Sequence, residues 1–111
     1  MDESRFWALI DESRAATTPA LSNQPDILQQ KLEKLSPEEI KCFDALFRQL
    51  WHDAYRDSLW AAAYIIEGGC SDDGFMDFRA GLISLGRDAY YAALQNPETL
   101  ASQPVPGRCL D

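Results

Sequence analysis

The most apolar region of the chain is broken once, sharply. Residues 59–78, "LWAAAYIIEGGCSDDGFMDF", carry an apolar run on each side of Gly68-Gly69. Adjacent glycines end a helix, because glycine alone enters the left-handed conformation of a helix C-terminus without steric penalty. Ser71 or Asp72 can then cap a following helix, and Asp72 and Asp73 fall in its first turn, where the dipole favours negative charge. Apolar residues resume at Phe75, Phe78, Leu82 and Leu85, at steps of three and four. The break therefore reads as a turn between two helices, and it constrains both.

The helix before the break, "SLWAAAYIIEGG", is apolar on nearly every side. That pattern predicts the central buried helix, with Asp57 as its cap and a small Ala61-Ala62-Ala63 run that lets neighbours approach. Upstream, Asp2 can cap a helix presenting Phe6, Trp7, Leu9 and Ile10, which fades at Thr17-Thr18-Pro19. A second helix begins near Pro25, with Ile27, Leu28, Leu32 and Leu35 on one face. "SPEE" is the strongest local signal: Ser36 as N-cap, Pro37 in the first turn and Glu39 closing a capping box. Ile40, Phe43, Phe47, Leu50 and Ala54 then mark one stripe of a third helix. After Gly86, "RDAYYAALQN" predicts a sixth helix stopped near Pro97, with one further turn at "PETLA". No segment has the alternation and β-branched enrichment of a strand. The expected fold is all-α: a single compact domain of about six helices over residues 1–101, with a hydrophobic central helix and a C-terminal tail over 102–111.

A chain of 111 residues with 46% apolar side chains can build one hydrophobic core. Its net charge of −8 repels nucleic-acid phosphates and anionic lipid, and suits a basic protein partner. No apolar run is long enough to span a membrane, and "MDESRFW" is the opposite of a secretory leader. That start predicts a cytoplasmic protein, and Cys42, Cys70 and Cys109, odd in number and widely spaced, predict reduced thiols and no structural zinc.

The segment around Gly68-Gly69 offers little to catalysis. "DDGFMDF" lacks the alternating oxygen ligands of a calcium loop. Asp72, Asp73 and Asp77 could hold magnesium, but first-turn acids serve more often as dipole partners. Two aspartates occupy the place a phosphate would need. Cys70 precedes a helix N-terminus, which favours a thiolate, yet the aspartates oppose it, and His52 pairs with it only if the fold brings them together. "GCSDDG" is not a serine elbow. Arginines beside apolar segments are the better signal: Arg79 or Arg87 must find carboxylates, Glu67 among them, or backbone carbonyls. The plain reading is an ion-pair network locking the turn; the sharper one is an arginine-lined small-molecule pocket.

"DSLWAAAYIIEGGCSDDGFMDFRAGLISLGRDAYYAAL", with "MDESRFWALIDESR" at the start, resembles a bacterial family known as domain of unknown function 4240. The resemblance spans nearly the whole chain. Its most specific residues are Trp60, Ala61, Ala62, Tyr64, Gly68, Gly69, Cys70, Ser71, Asp72, Asp73, Gly74 and Phe75, then Phe78, Arg79, Gly86 and Arg87. The resemblance brings no activity, substrate or cofactor. It implies that the turn and both arginines form one constellation. Gly81 stands where the family's pattern has tryptophan, which would leave a groove or a close helix contact. The family pattern also implies a further aromatic-rich helical segment beyond Cys109.

These observations lead to an expected binding or protein-interaction module rather than an enzyme, with no cofactor, no metal and no catalytic residue. Candidate binding residues are Trp60, Glu67, Cys70, Asp72, Asp73, Arg79 and Arg87. One alternative is a small-molecule-binding protein or hydrolase using that same constellation. Another is an acidic neutraliser of a basic partner, of the immunity or antitoxin type.

Overall fold

The computed structural model describes residues 1–16 and 23–102. Among these residues six α-helices follow one another: α1 (Glu3–Ala15), α2 (Gln24–Glu33), α3 (Pro37–Asp53), α4 (Asp57–Glu67), α5 (Asp72–Ser84) and α6 (Arg87–Gln95). A short 3-10 helix, Pro97–Ser102, closes the series. There is no strand among the described residues, so the chain is a single all-α domain. No helix among them is long and apolar enough to cross a membrane. Thr17, Thr18 and Pro19 of the first connection, and residues 103–111 of the expected tail, lie outside the described residues.

The local signals act as their chemistry requires. Asp2 caps α1 by accepting from the Arg5 amide. Ser36 and Glu39 form the reciprocal capping box of α3, which satisfies amides that no helical carbonyl can reach. Phe6, Trp7, Leu9 and Ile10 of α1 are buried together, as their spacing predicts. On α3, Phe43 and Leu50 are buried and Phe47 is half-buried, while Ile40 is exposed.

A hydrophobic helix does lie at the centre, but it is α5 and not α4. α5 packs against α1, α3, α4 and α6, and Phe75, Phe78, Leu82 and Ile83 are all buried. α4 buries only Leu59 and Ala63, and leaves Tyr64, Ile65 and Ile66 exposed. The expectation that α4 would be covered on several sides is thereby corrected. An all-round apolar helix needs several neighbours; here the covered face faces α5 and the 3-10 helix, and the other is open. Asp57 is corrected too. Arg56 stands at the N-cap position without a side-chain cap, and Asp57 is the first helical residue.

Two further features set the frame. Gln24 is buried, donating to the Ser13 hydroxyl at 3.3 Å and to the Ser84 carbonyl at 2.9 Å, which pins the start of α2 to α1 and α5. At the α5–α6 corner, Gly86 has φ +105°, and a Cβ there would stand 2.7 Å from Asp11 Oδ1. The backbone angle demands glycine at that corner, whereas the exposed Asp11 side chain would only have to turn aside.

Candidate functional site

The end of α3, Tyr55 of the connection, Trp60 of α4 and the first turns of α5 make one aromatic cluster beside the Gly68-Gly69 turn. Gly68 takes the left-handed conformation at φ +73°, and the Gly69 amide donates to the Tyr64 carbonyl at 2.8 Å. The chain then reverses, and Ser71 caps α5 by accepting from the Gly74 amide at 3.1 Å. Of the two caps that the sequence allows, the serine is the one used. Asp72 and Asp73 lie exposed in the first turn, as dipole partners rather than caps.

Trp60 ties α4 to the turn. Its indole N–H donates to the Cys70 carbonyl at 2.9 Å, and its ring stacks on Phe75 with centroids 5.0 Å apart and planes 14° off parallel. Tyr55 meets both rings edge-on, at 5.9 and 5.8 Å. This is offset and T-shaped packing, which suits the ring quadrupoles and holds each ring in one orientation.

Arg79 is the buried charge at the back of the cluster, 3% exposed. The ion pair expected for it does not form: among the described residues no carboxylate reaches it. Its guanidinium lies 4.0 Å from the Trp51 ring centroid, 4.8 Å from Tyr55 and 5.0 Å from Phe75. It donates to the Trp51 carbonyl at 3.0 Å and to the Phe75 carbonyl at 3.4 Å. Burial lowers its pKa from the ordinary arginine value, and the Tyr55 hydroxyl acts in the opposite direction. Ring faces and carbonyls thus take the place of a counter-ion. The Trp51 indole in turn donates to the Met76 carbonyl at 3.1 Å, which fixes the ring that Arg79 covers.

The remaining expected residues divide. Glu67 is half-buried at the end of α4, and its Oε1 has neither water access nor a hydrogen-bond partner. Arg87 is not part of the cluster at all. It opens α6, beyond the far end of α5, exposed, 3.7 Å from Asp88 and 5.7 Å from the Tyr91 ring centroid. The single constellation of two arginines is therefore corrected to two separate places. Cys70 is buried and disulfide-bonded, against the expectation of a free thiol, which removes it as a thiolate nucleophile in this form. Cys42 is free and exposed, and Cys109 lies outside the described residues. His52 is exposed on α3. Among the described residues no three His, Cys, Asp or Glu side chains gather as metal ligands would.

The feature that sequence reading missed is the outer face of α4. Ile65 is 80% exposed and Tyr64 59% exposed. Asp57, Trp60, Ala61, Tyr64 and Ile65 line a shallow cleft of about 400 Å³ along it. Their signal was present: positions 57, 60, 61, 64 and 65 follow i, i+3, i+4, i+7, i+8, a second helical stripe beside the buried one. With both stripes apolar, periodicity could not say which was covered.

Neither a curated protein nor a solved structure matches this chain. Residues 1–108 match the family described as "Protein of unknown function (DUF4240)", the same family that the Trp60-to-Arg87 residues resemble. The chain belongs to that family.

Proposed function

We propose that the chain is a non-catalytic protein-interaction module that receives its partner on the outer face of α4. The observation that carries this reading is the exposure of Tyr64 and Ile65 beside Trp60 on a helix whose other side is fixed. Adjacent exposed apolar residues of this size are what interaction sites present, whereas scattered single ones need no account. The support beneath the face is rigid, because Trp60 is held by the Cys70 carbonyl and the Phe75 ring. Preorganised side chains lose little entropy on binding.

Much of the polar chemistry around the turn is already engaged in building it. Ser71 caps, Cys70 is in a disulfide, and Arg79 is held by carbonyls and rings. The small-molecule alternative called for Arg79 and Arg87 around one pocket, but Arg79 sits mid-α5 among the rings while Arg87 opens α6 beside Asp88 and Tyr91. The Cys70 disulfide counts against the cytoplasmic placement, since disulfides persist chiefly in oxidising compartments.

A displayed peptide library selected on the wild-type chain tests the reading, with counter-selection on a Tyr64→Ser, Ile65→Ser double variant. Enriched peptides should lose about tenfold or more in affinity for the double variant, a difference of about 1.4 kcal/mol. Peptides indifferent to the double variant, or no enrichment, would sink it.

A further inference from the structure

We infer that the occupant of the α4 face is a single partner helix with basic residues flanking an apolar stripe. This deepens the interaction reading above and rests on it. Three observations carry it: the shape of the face, its charge, and the poor fit of a second copy.

The shape is that of a helix-packing seam. Asp57, Trp60, Ala61 and Tyr64 stand at i, i+3, i+4 and i+7, the four corners of a hole that accepts one side chain of a facing helix. Ala61, the small residue among them, leaves the floor low, so a partner helix can approach to the usual 8–10 Å between axes (roughly). The stripe from 57 to 65 runs about 12 Å along the axis at the helical rise, which engages about two turns of a partner. An isolated strand or loop would leave its own backbone groups unpaired against this face, since α4 has no free amides or carbonyls along its side.

The charge is acidic at both ends of the seam. α4 begins with the exposed Asp57 and ends with Glu67, half-buried with one oxygen covered, and contains no Lys or Arg. Asp72 and Asp73 are exposed just past the turn. Arg56, the nearest base in sequence, is exposed and keeps its charge beside Asp57, though its guanidinium is turned onto the carbonyls of Asp53 at 3.1 Å and Leu94 at 3.2 Å. The acids past the turn thus carry most of the attraction. A basic helix is therefore steered and held, whereas anionic lipid is repelled by a chain of net charge −8. A second copy fits poorly: a two-fold, antiparallel pairing through the seam, centred on Ala61, sets the Asp57 carboxylate against the apolar Ile65 at each end. A carboxylate desolvated against an apolar side chain opposes the pairing.

Synthetic peptides of about 16 residues decide it, long enough to cover the seam as a helix. One carries leucines at i, i+3, i+4, i+7 and lysine or arginine on both flanks. A second replaces the bases by glutamate, and a third places proline at its centre. Calorimetric titration of the full chain should show binding of the basic peptide alone. Its affinity should fall about tenfold or more between about 50 and 200 mM salt, as screening of exposed charges requires. Ile65→Ser should abolish binding, and an Asp57→Asn, Asp72→Asn, Asp73→Asn variant should bind more weakly with a shallower salt dependence.

Several results would overturn the inference. Equal binding of the glutamate peptide, still lost in Ile65→Ser, removes the basic partner but keeps the docking face. Equal binding of the proline peptide removes the helix in the same way. Basic-peptide binding unaffected by Ile65→Ser places it elsewhere and removes the inference. An Ile65-dependent dimer in sedimentation makes a second copy the occupant. Hydroxyl-radical footprinting that finds Tyr64 and Ile65 shielded in the monomer means the chain covers its own face, and both readings then fail. Failure of every peptide to bind also rejects the inference.

Discussion

The guanidinium of Arg79 lies 4.0 Å from the centroid of the Trp51 ring and donates a 3.0 Å hydrogen bond to the carbonyl oxygen of the same residue. One residue of α3 therefore solvates the charge twice, through its side chain and through its backbone. The pair fastens α3 to α5 where the α4 face begins. An arginine in this setting is not replaceable by lysine, which lacks the planar fork and the ring-stacking surface.

The first prediction follows from that geometry. Arg79→Lys should destabilise by roughly 1.5–3 kcal/mol, the range for losing charge-assisted hydrogen bonds inside a protein. Arg79→Met, which keeps apolar bulk and removes the charge, should cost less than Arg79→Ala. Urea denaturation of the three variants checks the order. Equal midpoints for wild type and Arg79→Lys would show that the cage contributes nothing.

The second concerns the two sides of α4. Leu59 is fully buried and Ile65 is 80% exposed, though they sit six residues apart in one apolar run. Leu59→Ala should cost roughly 2–5 kcal/mol. Ile65→Ala should stay within about 0.5 kcal/mol, as for surface positions away from special features. Thermal melts of both variants give the comparison directly, and a large loss at Ile65 would mean that its side chain is covered.

That contrast shows where the sequence was legible and where it was not. Helix ends were readable because caps and glycines act within four residues: Asp2, Ser36, Glu39, Gly68 and Gly69 all do what their chemistry predicts. Burial depends on neighbours, and periodicity says nothing of them when a helix is apolar all round. α4 and α5 thus exchanged the central place. Arg79 and Arg87 were joined by the family resemblance, yet the C-terminal part of α5 and a Gly86 corner separate them. The aromatic cage was missed for a related reason. A buried arginine was expected to seek carboxylates or carbonyls, and three rings from two helices and the connection after α3 could not be foreseen to converge on it.

A third prediction separates capping from charge at the turn. Ser71 accepts from the Gly74 amide, so Ser71→Ala should lower stability by about 0.5–2 kcal/mol. Asp72→Ala and Asp73→Ala remove only dipole partners, at about 0.3–1 kcal/mol each, and that smaller loss should shrink further in high salt. Melts at low and high ionic strength tell them apart. A salt-insensitive loss at Asp72 or Asp73 exceeding that at Ser71 would reassign the cap.

The last prediction concerns pH at the α1–α6 contact. The Tyr91 hydroxyl donates to the Glu3 carboxylate, which joins the first helix to the sixth. Burial first, then that hydrogen bond and the negative charge of Glu3, push the Tyr91 pKa up to about 12 from the ordinary 10. Neighbouring Tyr90 is raised as well, chiefly by burial. In both cases the folded state holds the proton more tightly than the unfolded chain does. The stabilisation is therefore complete below the unfolded value of about 10, and is lost as pH rises from there through the folded value. Stability should be insensitive to these two groups between neutrality and about pH 10, then fall steeply. Absorbance titration of phenolate should show late-ionising tyrosines, and Tyr91→Phe should remove one of them. Glu3→Gln takes away the carboxylate charge but keeps an acceptor, so it should bring the Tyr91 ionisation part of the way back towards 10. An unshifted late phase in Glu3→Gln would leave burial as the whole cause and discount the α1–α6 bond.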